Sequence, residues 1–317
     1  MKYRKKILSA IALTLCATTL TACSTTSPKI PFVKYWLEDA IVTPTNVLEE
    51  LEYEVTFKKA SGLNDAYTVD YQNGVYTTKL TLNEDVYRYE TQFNIDVSYT
   101  VGEDKFEAQD SILSWVEFKN SAKLQPIASH KEIVNHSPAN GGSTIKTCYV
   151  KSNYTIDTTY NDNGLGGKCV IVNNDPESKN DPQERTFTVE DKYTYLDNEQ
   201  LLFALRGISQ STTTASVSVY APFSGVVQNV NLTYSTLQKE TEFSFKKGDK
   251  EIKQVINYYP VSMKINTKLS GATQTAWIAE MTNSHSNTFR NVMLQLETPL
   301  SYNLGSLIYK LKSANFI

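Results

Sequence analysis

Alternating apolar and polar residues are the dominant pattern of this chain, and the clearest example covers residues 87–99. Side chains on a β-strand point alternately to opposite faces, so a period of two predicts one long, half-buried strand. The apolar face of this predicted strand carries Tyr87, Tyr89, Phe93, Ile95, Val97 and Tyr99, with Thr91 in the same phase. These six apolar residues are the candidates for the lining of an apolar surface.

Further strands are predicted wherever the alternation returns or β-branched and aromatic residues cluster. They lie at 105–118, 187–195, 214–221, 226–236, 240–246, 252–258, 261–269, 274–281, 291–297 and 306–316. Turns are predicted at 102–104 and 247–249, where glycine and acidic residues interrupt the pattern. Asn73-Gly74 is a strong hairpin signal and predicts a turn between strands at 67–71 and 75–82.

One segment has a helical pattern, at 197–207 with the sequence DNEQLLFALRG. Asp197 or Asn198 would cap its start, Gly207 would end it, and three leucines would form its apolar side. Long strands with one apolar face must bury that face against another layer. The predicted fold class is therefore mainly β: a curved, long-stranded antiparallel sheet, half-barrel-like, with one or two short helices.

The first 23 residues have the organisation of a secretory signal. Four basic residues at positions 2–6 precede an uncharged, mostly apolar stretch of 14 residues at 7–20. That stretch is shorter than the roughly 20 residues that a membrane-spanning helix needs. Leu20-Thr21-Ala22-Cys23 follows directly, and this sequence resembles the lipobox of bacterial lipoproteins. The alternative is an ordinary secreted protein with a chance cysteine near the cleavage site.

The lipobox resemblance implies a lipid anchor and a location at the membrane. The Cys23 thiol would carry a diacylglyceryl group with acyl chains such as palmitate, and cleavage would fall between Ala22 and Cys23. The chain would divide into a signal peptide at 1–22, a lipidated tether at 23–45 and a β-rich extracytoplasmic domain at 46–317, with an insertion-like lobe at 136–184. The protein would lie on the extracytoplasmic face of the cell membrane, or at the outer membrane if the organism has one.

The charge of the chain argues against nucleic acid as a partner. The predicted signal contains four of the 31 basic residues and none of the 34 acidic ones, so the mature chain carries 27 basic against 34 acidic side chains. Nucleic-acid binding needs clustered lysine and arginine, and no basic stripe occurs in the sequence. We therefore expect no nucleic-acid partner.

Four cysteines are present, and two of them remain once Cys16 leaves with the signal and Cys23 carries lipid. Outside the cytoplasm thiols tend to pair, so Cys148 and Cys169 are predicted to form a disulfide between neighbouring strands. Closing that loop of about 20 residues would stabilise the fold by about 3 kcal/mol. Two free thiols or a redox-active pair are the alternatives, although the spacing is not the Cys-x-x-Cys of catalytic dithiols.

A search for catalytic chemistry yields no motif. His130, His136 and His285 have no zinc-site spacing and are interpreted as surface residues. No nucleophile elbow, phosphate-binding loop or twelve-residue calcium loop occurs. We therefore expect no enzymatic activity, no metal and no cofactor.

A second resemblance concerns residues 85–317. The order of a long meander, the 197–207 helix and further strands ending in 304–311 is similar to half-barrel envelope proteins that resemble the periplasmic lipoprotein carriers. The resemblance implies a concave face lined with apolar side chains, and the 136–184 lobe departs from it. It favours a non-enzymatic binder of a lipid or other apolar ligand in the cell envelope. An adaptor or structural component of a surface complex is the alternative, and a wall-polymer hydrolase is a third hypothesis.

Overall fold

The computed structural model of the chain describes Phe32 and nine further segments. These are residues 46–60, 67–139, 141–176, 182–191, 194–208, 214–235, 239–265, 273–279 and 291–316, with one-residue or longer gaps between them. Within them the fold is mainly β, with 16 strands and one short α-helix. The predicted fold class is confirmed.

The elements have the following bounds. The strands are β1 (Val47–Lys59), β2 (Thr68–Asn83), β3 (Val86–Val101), β4 (Asp104–Lys119), β5 (Pro126–Pro138), β6 (Tyr149–Tyr160), β7 (Gly166–Asn173), β8 (Gln183–Thr188), β9 (Thr194–Leu196), β10 (Thr214–Ala221), β11 (Val226–Tyr234), β12 (Lys239–Lys247), β13 (Lys250–Ile265), β14 (Gln274–Ala279), β15 (Met293–Pro299) and β16 (Gly305–Phe316). The helix α1 (Leu201–Leu205) follows a 3₁₀ turn at Asn198–Gln200, and a second 3₁₀ turn is Ser301–Asn303.

The strands form one sheet with a long meander at one side and a closed ring at the other. Strands β1 to β8 lie next to one another in chain order, and β1 also pairs with β16. From β16 the order continues through β15, β14 and β13, and β12 pairs with both β13 and β16. Strands β12–β16 therefore close into a five-stranded barrel, which we call the closed ring. Strands β1–β8 are called the curved sheet.

Strand β13 joins two predicted strands, 252–258 and 261–269, into one. Proline has no N–H to donate, so Pro260 favours a break in a strand. In the structure β12 pairs with β13 only as far as Tyr258, and β11 begins to pair at Val261. Pro260 thus lies where β13 exchanges one neighbour for another, and the missing donor removes no ladder bond at that edge.

The hairpin predicted at Asn73-Gly74 is wrong. Strand β2 passes through both residues, and the pairing with β3 shifts register between Gln72 and Val75. Asn73 adopts the left-handed φ of 52°, so the pair forms a bulge and not a turn. Gly74 is required because an added Cβ would lie 2.6 Å from the backbone oxygen of Val55 in β1.

The short helical segment at 197–207 packs against the inner face of the curved sheet. The Asp197 carboxylate accepts a hydrogen bond from the backbone N–H of Glu199, and Gln200 completes a capping box. Of the two predicted caps, Asp197 and Asn198, the first is therefore the one used. Phe203 is fully buried, with its ring 5.3 Å from that of Tyr89 and 5.1 Å from that of Phe118. The apolar face of β3 is buried in this way against α1.

The disulfide predicted between Cys148 and Cys169 is wrong: both cysteines are free and buried. Cys169 in β7 lies opposite Thr158 in β6, whereas Cys148 immediately precedes β6. Thr158 is ten positions after Cys148 along extended chain, a distance of about 33 Å. A disulfide needs Cα atoms within about 7 Å, so the register of β6 and β7 forbids the bridge.

The segment 136–184 belongs to the same meander as its neighbours. The end of β5, all of β6 and β7 and the start of β8 fall within it, and each strand pairs with the next. The division into signal, tether and domain stays a prediction, since Cys23 lies outside the described residues. Phe32 of the predicted tether is buried against the domain, where it forms an isolated bridge with Ile208.

Candidate functional site

The six candidate residues on β3 are all buried on the concave side of the curved sheet. Most of them pack into the core: the Tyr87 ring lies 5.5 Å from Phe118, and the Tyr99 ring lies 5.3 Å from Tyr149. Phe93 differs, because it borders a cleft and contacts the Tyr309 ring of β16 at 5.9 Å. The structure therefore brings Phe93 to a candidate site and uses the other five in packing around it.

The cleft bordered by Phe93 runs between the curved sheet and the closed ring, and we call it the apolar cleft. It holds about 590 Å³ when the part open to solvent is included. Its lining residues are Tyr76, Thr91, Phe93, Ile112, Lys131, Asn198, Glu199, Leu202, Gln274, Leu296, Thr298 and Tyr309. Small-ligand pockets in proteins likewise combine apolar walls with a few polar groups that fix the orientation of the ligand.

A second cleft lies on the other side of the 3₁₀ turn that precedes α1, and we call it the polar cleft. It holds about 550 Å³, again with the part open to solvent included. Its lining residues are Ser129, Lys131, Ile133, Ile156, Thr158, Tyr160, Asp197, Asn198, Glu199, Tyr220, Ala221, Pro222 and Phe223. Lys131, Asn198 and Glu199 line both clefts.

An ion pair forms the wall between the two clefts. The ammonium group of Lys131 donates a hydrogen bond to Glu199 Oε1 at 2.6 Å, and the Asn198 side-chain amide donates to the same oxygen at 3.2 Å. The Lys131 side chain is 8% exposed and that of Glu199 is 14% exposed. Lys131 belongs to the rigid strand β5, whereas Glu199 belongs to a three-residue turn. The wall is therefore one nearly buried salt bridge between a strand and a turn.

A second carboxylate, Asp197, borders the polar cleft but is occupied by structural contacts. Its Oδ2 accepts hydrogen bonds from Ser129 at 2.6 Å and from the Tyr160 hydroxyl, and its Oδ1 accepts the Glu199 N–H at 2.7 Å. Burial, and next the nearby Glu199 charge, raise the pKa of Asp197. These bonds fix the start of the turn and hence the position of Glu199.

A buried ion pair fixes the C-terminal end of the helical segment. Arg206, directly after α1, binds Glu49 of β1 through both guanidinium NH₂ groups, at 2.6 and 2.7 Å. Both side chains are 3% exposed. Arg206 and Asn291 also exchange hydrogen bonds with each other's backbone carbonyls. Because bidentate pairing fixes orientation as well as distance, this contact sets where α1 enters the sheet.

A buried aspartate and histidine pair was missed by the sequence interpretation. His136, expected on the surface, is buried, and its Nδ1 lies 2.8 Å from Asp110 Oδ1. The same oxygen accepts the His136 backbone N–H at 2.9 Å, just past the last paired residues of β4 and β5. Burial raises the pKa of Asp110, although the His136 contacts lower it. A carboxylate in the apolar phase of β4, beside Ile112, was the available signal.

His130 lies on the opposite, outer side of β5. Its ring stacks on Trp115 at 5.9 Å, and its Nδ1 lies 2.7 Å from Asp157 Oδ1. No group of three or more His, Cys, Asp or Glu side chains that could hold a metal occurs in the described part of the chain. Within the same residues, no helix has the length and apolar character needed to cross a bilayer.

Comparisons with known proteins give little information beyond the fold. No protein-family model and no curated protein matches this chain. Among solved structures, the chain is similar to the crystal structure of a β-barrel-like protein of a domain of unknown function, DUF1849, from Brucella abortus. The identity is 12%, the TM-score is 0.49, and the similarity covers 86% of this chain and 98% of the other. Similarity at this level supports no inference about function.

Proposed function

We propose that this chain is a lipid-anchored, extracytoplasmic protein without enzymatic activity that binds a lipid or another apolar ligand in the cell envelope. The observation that carries the proposal is the apolar cleft. Aromatic and aliphatic side chains of the curved sheet form one wall, including Tyr76, Phe93 and Ile112. Leu296 and Tyr309 of the closed ring form the other.

The walls of the cleft come from parts of the chain that are far apart in sequence. Phe93 and Tyr309 are in ring contact across the cleft, and Leu202 of α1 lies between the two walls. An apolar ligand placed there would remove side chains from water on both sides, which is favourable by about 25 cal/mol per Å² of buried apolar surface. This geometry supports binding of a narrow apolar group.

The proposed anchor at Cys23 would keep the domain near the bilayer. Phe32 is docked on the domain, with its backbone N–H donating to Ala122 O at 3.2 Å. Phe32 is only nine positions after Cys23, and an extended chain of that length reaches at most about 30 Å. The proposed membrane partner would therefore be within a short distance of the Phe32 side of the domain.

Ligand binding can be measured with a neutral apolar dye such as N-phenyl-1-naphthylamine, whose fluorescence rises in apolar surroundings. The chain from Ser24 onward keeps every described residue and lacks the acylated cysteine. We expect saturable binding that Leu202→Glu weakens, because the new charge lies in the cleft wall. Leu113→Glu is the matched control, since Leu113 is 46% exposed on the outer face of β4. Equal binding by both variants, or no binding by the wild type, would refute the proposed function.

The anchor has a separate test. Cells that express the full chain are fed an alkyne analogue of palmitate, and the labelled protein is detected after click chemistry. We expect labelling of the wild type and none of Cys23→Ser, with Cys148→Ser labelled as strongly as the wild type. Label that persists in Cys23→Ser would contradict the lipobox interpretation and leave the ligand proposal untouched.

A further inference from the structure

We propose that the ligand of the apolar cleft is a single-chain amphiphile with a carboxylate head, which displaces Glu199 and binds Lys131. This inference rests on the proposed function and specifies the chemistry of the ligand. The tail would lie along the cleft wall against Phe93 and Tyr309, and the head would reach the wall between the two clefts.

Lys131 is the group of the lining that an anionic head would bind. Among the described residues that line either cleft, Lys131 is the only basic side chain. It lies at the boundary between an apolar wall and a polar one, which is where the head of an amphiphile meets its tail. The second carboxylate, Asp197, lines the polar cleft and not the apolar one. A head that arrives through the apolar cleft therefore meets Lys131 first.

Glu199 is the partner that can leave. It lies in a short turn and its side chain is more exposed than that of Lys131, at 14% against 8%. Lys131 points inward from the middle of β5, whose neighbours β4 and β6 are both paired with it. Rotation of Glu199 into water would leave a cation in an apolar wall, which is strongly unfavourable without a counter-ion. A ligand carboxylate would supply that counter-ion.

We assign a carboxylate to the head because it would occupy the position that the Glu199 carboxylate now holds. Lys131 and the Asn198 amide both donate to one Glu199 oxygen, at 2.6 and 3.2 Å. A ligand carboxylate could accept the same two donors. A phosphate head carries more charge and is usually held by several basic groups, whereas one lysine is present here. Glu199 acts in this scheme as an internal competitor for the ligand.

Four twelve-carbon compounds test the inference by displacing the neutral dye from the chain that begins at Ser24: dodecanoate, dodecanol, dodecylamine and dodecyl phosphate. We expect dodecanoate to bind about tenfold tighter than dodecanol, as one charge-assisted hydrogen bond allows. Tighter binding of the amine, of the phosphate or of the alcohol would overturn the carboxylate assignment. Dye binding by itself reports on the proposed function, so the two failures can be told apart.

Two variants locate the head. Lys131→Met should remove the preference for the acid, so that dodecanoate binds no tighter than dodecanol, while the dye still binds. Glu199→Gln should tighten dodecanoate several-fold without changing dodecanol, because the competing charge is gone. Lys168→Met, which removes an exposed lysine paired with Glu184 on β7 and β8, is the matched control and should change neither. Circular dichroism and the melting temperature establish that each variant is folded. An acid preference that survives in Lys131→Met would overturn the inference, and the wild-type series remains decisive if a variant does not fold.

Discussion

The curved sheet and the closed ring are built from the same kind of alternating strand but bury different side chains. Strands β1–β8 contain twelve buried polar or charged side chains, among them Glu49, Asp110 and Lys131. In the described residues of β12–β16, Thr298 is the only buried polar side chain. The buried residues of the ring are otherwise apolar, as Phe243 and Ile256 illustrate.

The two regions bury different side chains because the ring is closed by hydrogen bonds and the curved sheet is not. A ring of five strands pairs its own edges and fills its narrow interior with apolar side chains. The curved sheet does not close through hydrogen bonds, so its concave face is covered by α1 and the turn before it. A covering segment has polar ends, because its first N–H and last C=O groups need partners. The polar groups at these ends include Asp197 and Glu199 at the start of the segment and Arg206 at its end. The two clefts lie beside the start of the segment.

The largest expected effect comes from breaking the ion pair that anchors the covering segment. Arg206→Ala leaves Glu49 charged and buried, and we expect a loss of about 3–5 kcal/mol in the free energy of unfolding. Lys312→Ala is the control, since its bridge to Glu52, also on β1, is mostly exposed, and it should cost less than about 1 kcal/mol. Urea unfolding measures both. Similar losses in the two variants would show that the buried Arg206–Glu49 pair contributes no more to the free energy of unfolding than an exposed ion pair.

A glycine in each region gives the next largest contrast. Gly74→Ala would drive β1 and β2 apart, since the new Cβ would meet Val55 O at 2.6 Å, and we expect a loss of about 2–3 kcal/mol. Gly248, in the turn between β12 and β13, has φ +56° and nothing within 4 Å of an added Cβ. Its replacement by alanine should cost about 1 kcal/mol, for the left-handed backbone alone. The reverse order in thermal unfolding would contradict the bulge at Gly74.

A smaller effect appears in the pH dependence of the curved sheet. Burial raises the pKa of Asp110 above its ordinary 3.8. The stabilisation linked to its neutral form is complete below the unfolded-state pKa and is lost as pH rises through the folded-state pKa. Asp110→Asn keeps an oxygen for His136 and removes the titration, so stability should fall less with rising pH above about pH 4. Urea unfolding from acidic to neutral pH measures this, with Glu52→Gln as the exposed control. A pH profile unchanged from the wild type would contradict the assignment.

The smallest expected effect is that of reductant. Cys148 and Cys169 are free, and they lie beside opposite ends of β6. The chain from Ser24 should therefore show two titratable thiols after denaturation. Dithiothreitol should change the free energy of unfolding by less than about 0.5 kcal/mol, whereas a bridge would contribute about 3 kcal/mol. Burial raises the pKa of the Cys169 thiol to about 11, which disfavours its oxidation. An oxidised mass lower by two hydrogens would restore the bridge.

The site was only partly visible in the sequence. Glu49 and Asp110 share the phase of apolar neighbours on their strands, which marks them as inward-facing charges, and Lys131 shares the phase of Ile133. Their partners Arg206, His136 and Glu199 could not be named, because the pairs join residues between 26 and 157 positions apart. The order of strands in the sheet decides which of these groups meet.

The sequence by itself determined the strand class, most strand positions and a helix cap at Asp197 or Asn198, and it predicts a lipobox at Cys23. These depend on local periodicity, capping chemistry and short motifs, all of which act within a few residues. Only the tertiary structure decided that β12–β16 close into a ring, that Asn73-Gly74 forms a bulge, and that Cys148 and Cys169 lie apart. Each of these depends on register between strands, and a shift of one residue reverses the face on which every side chain lies.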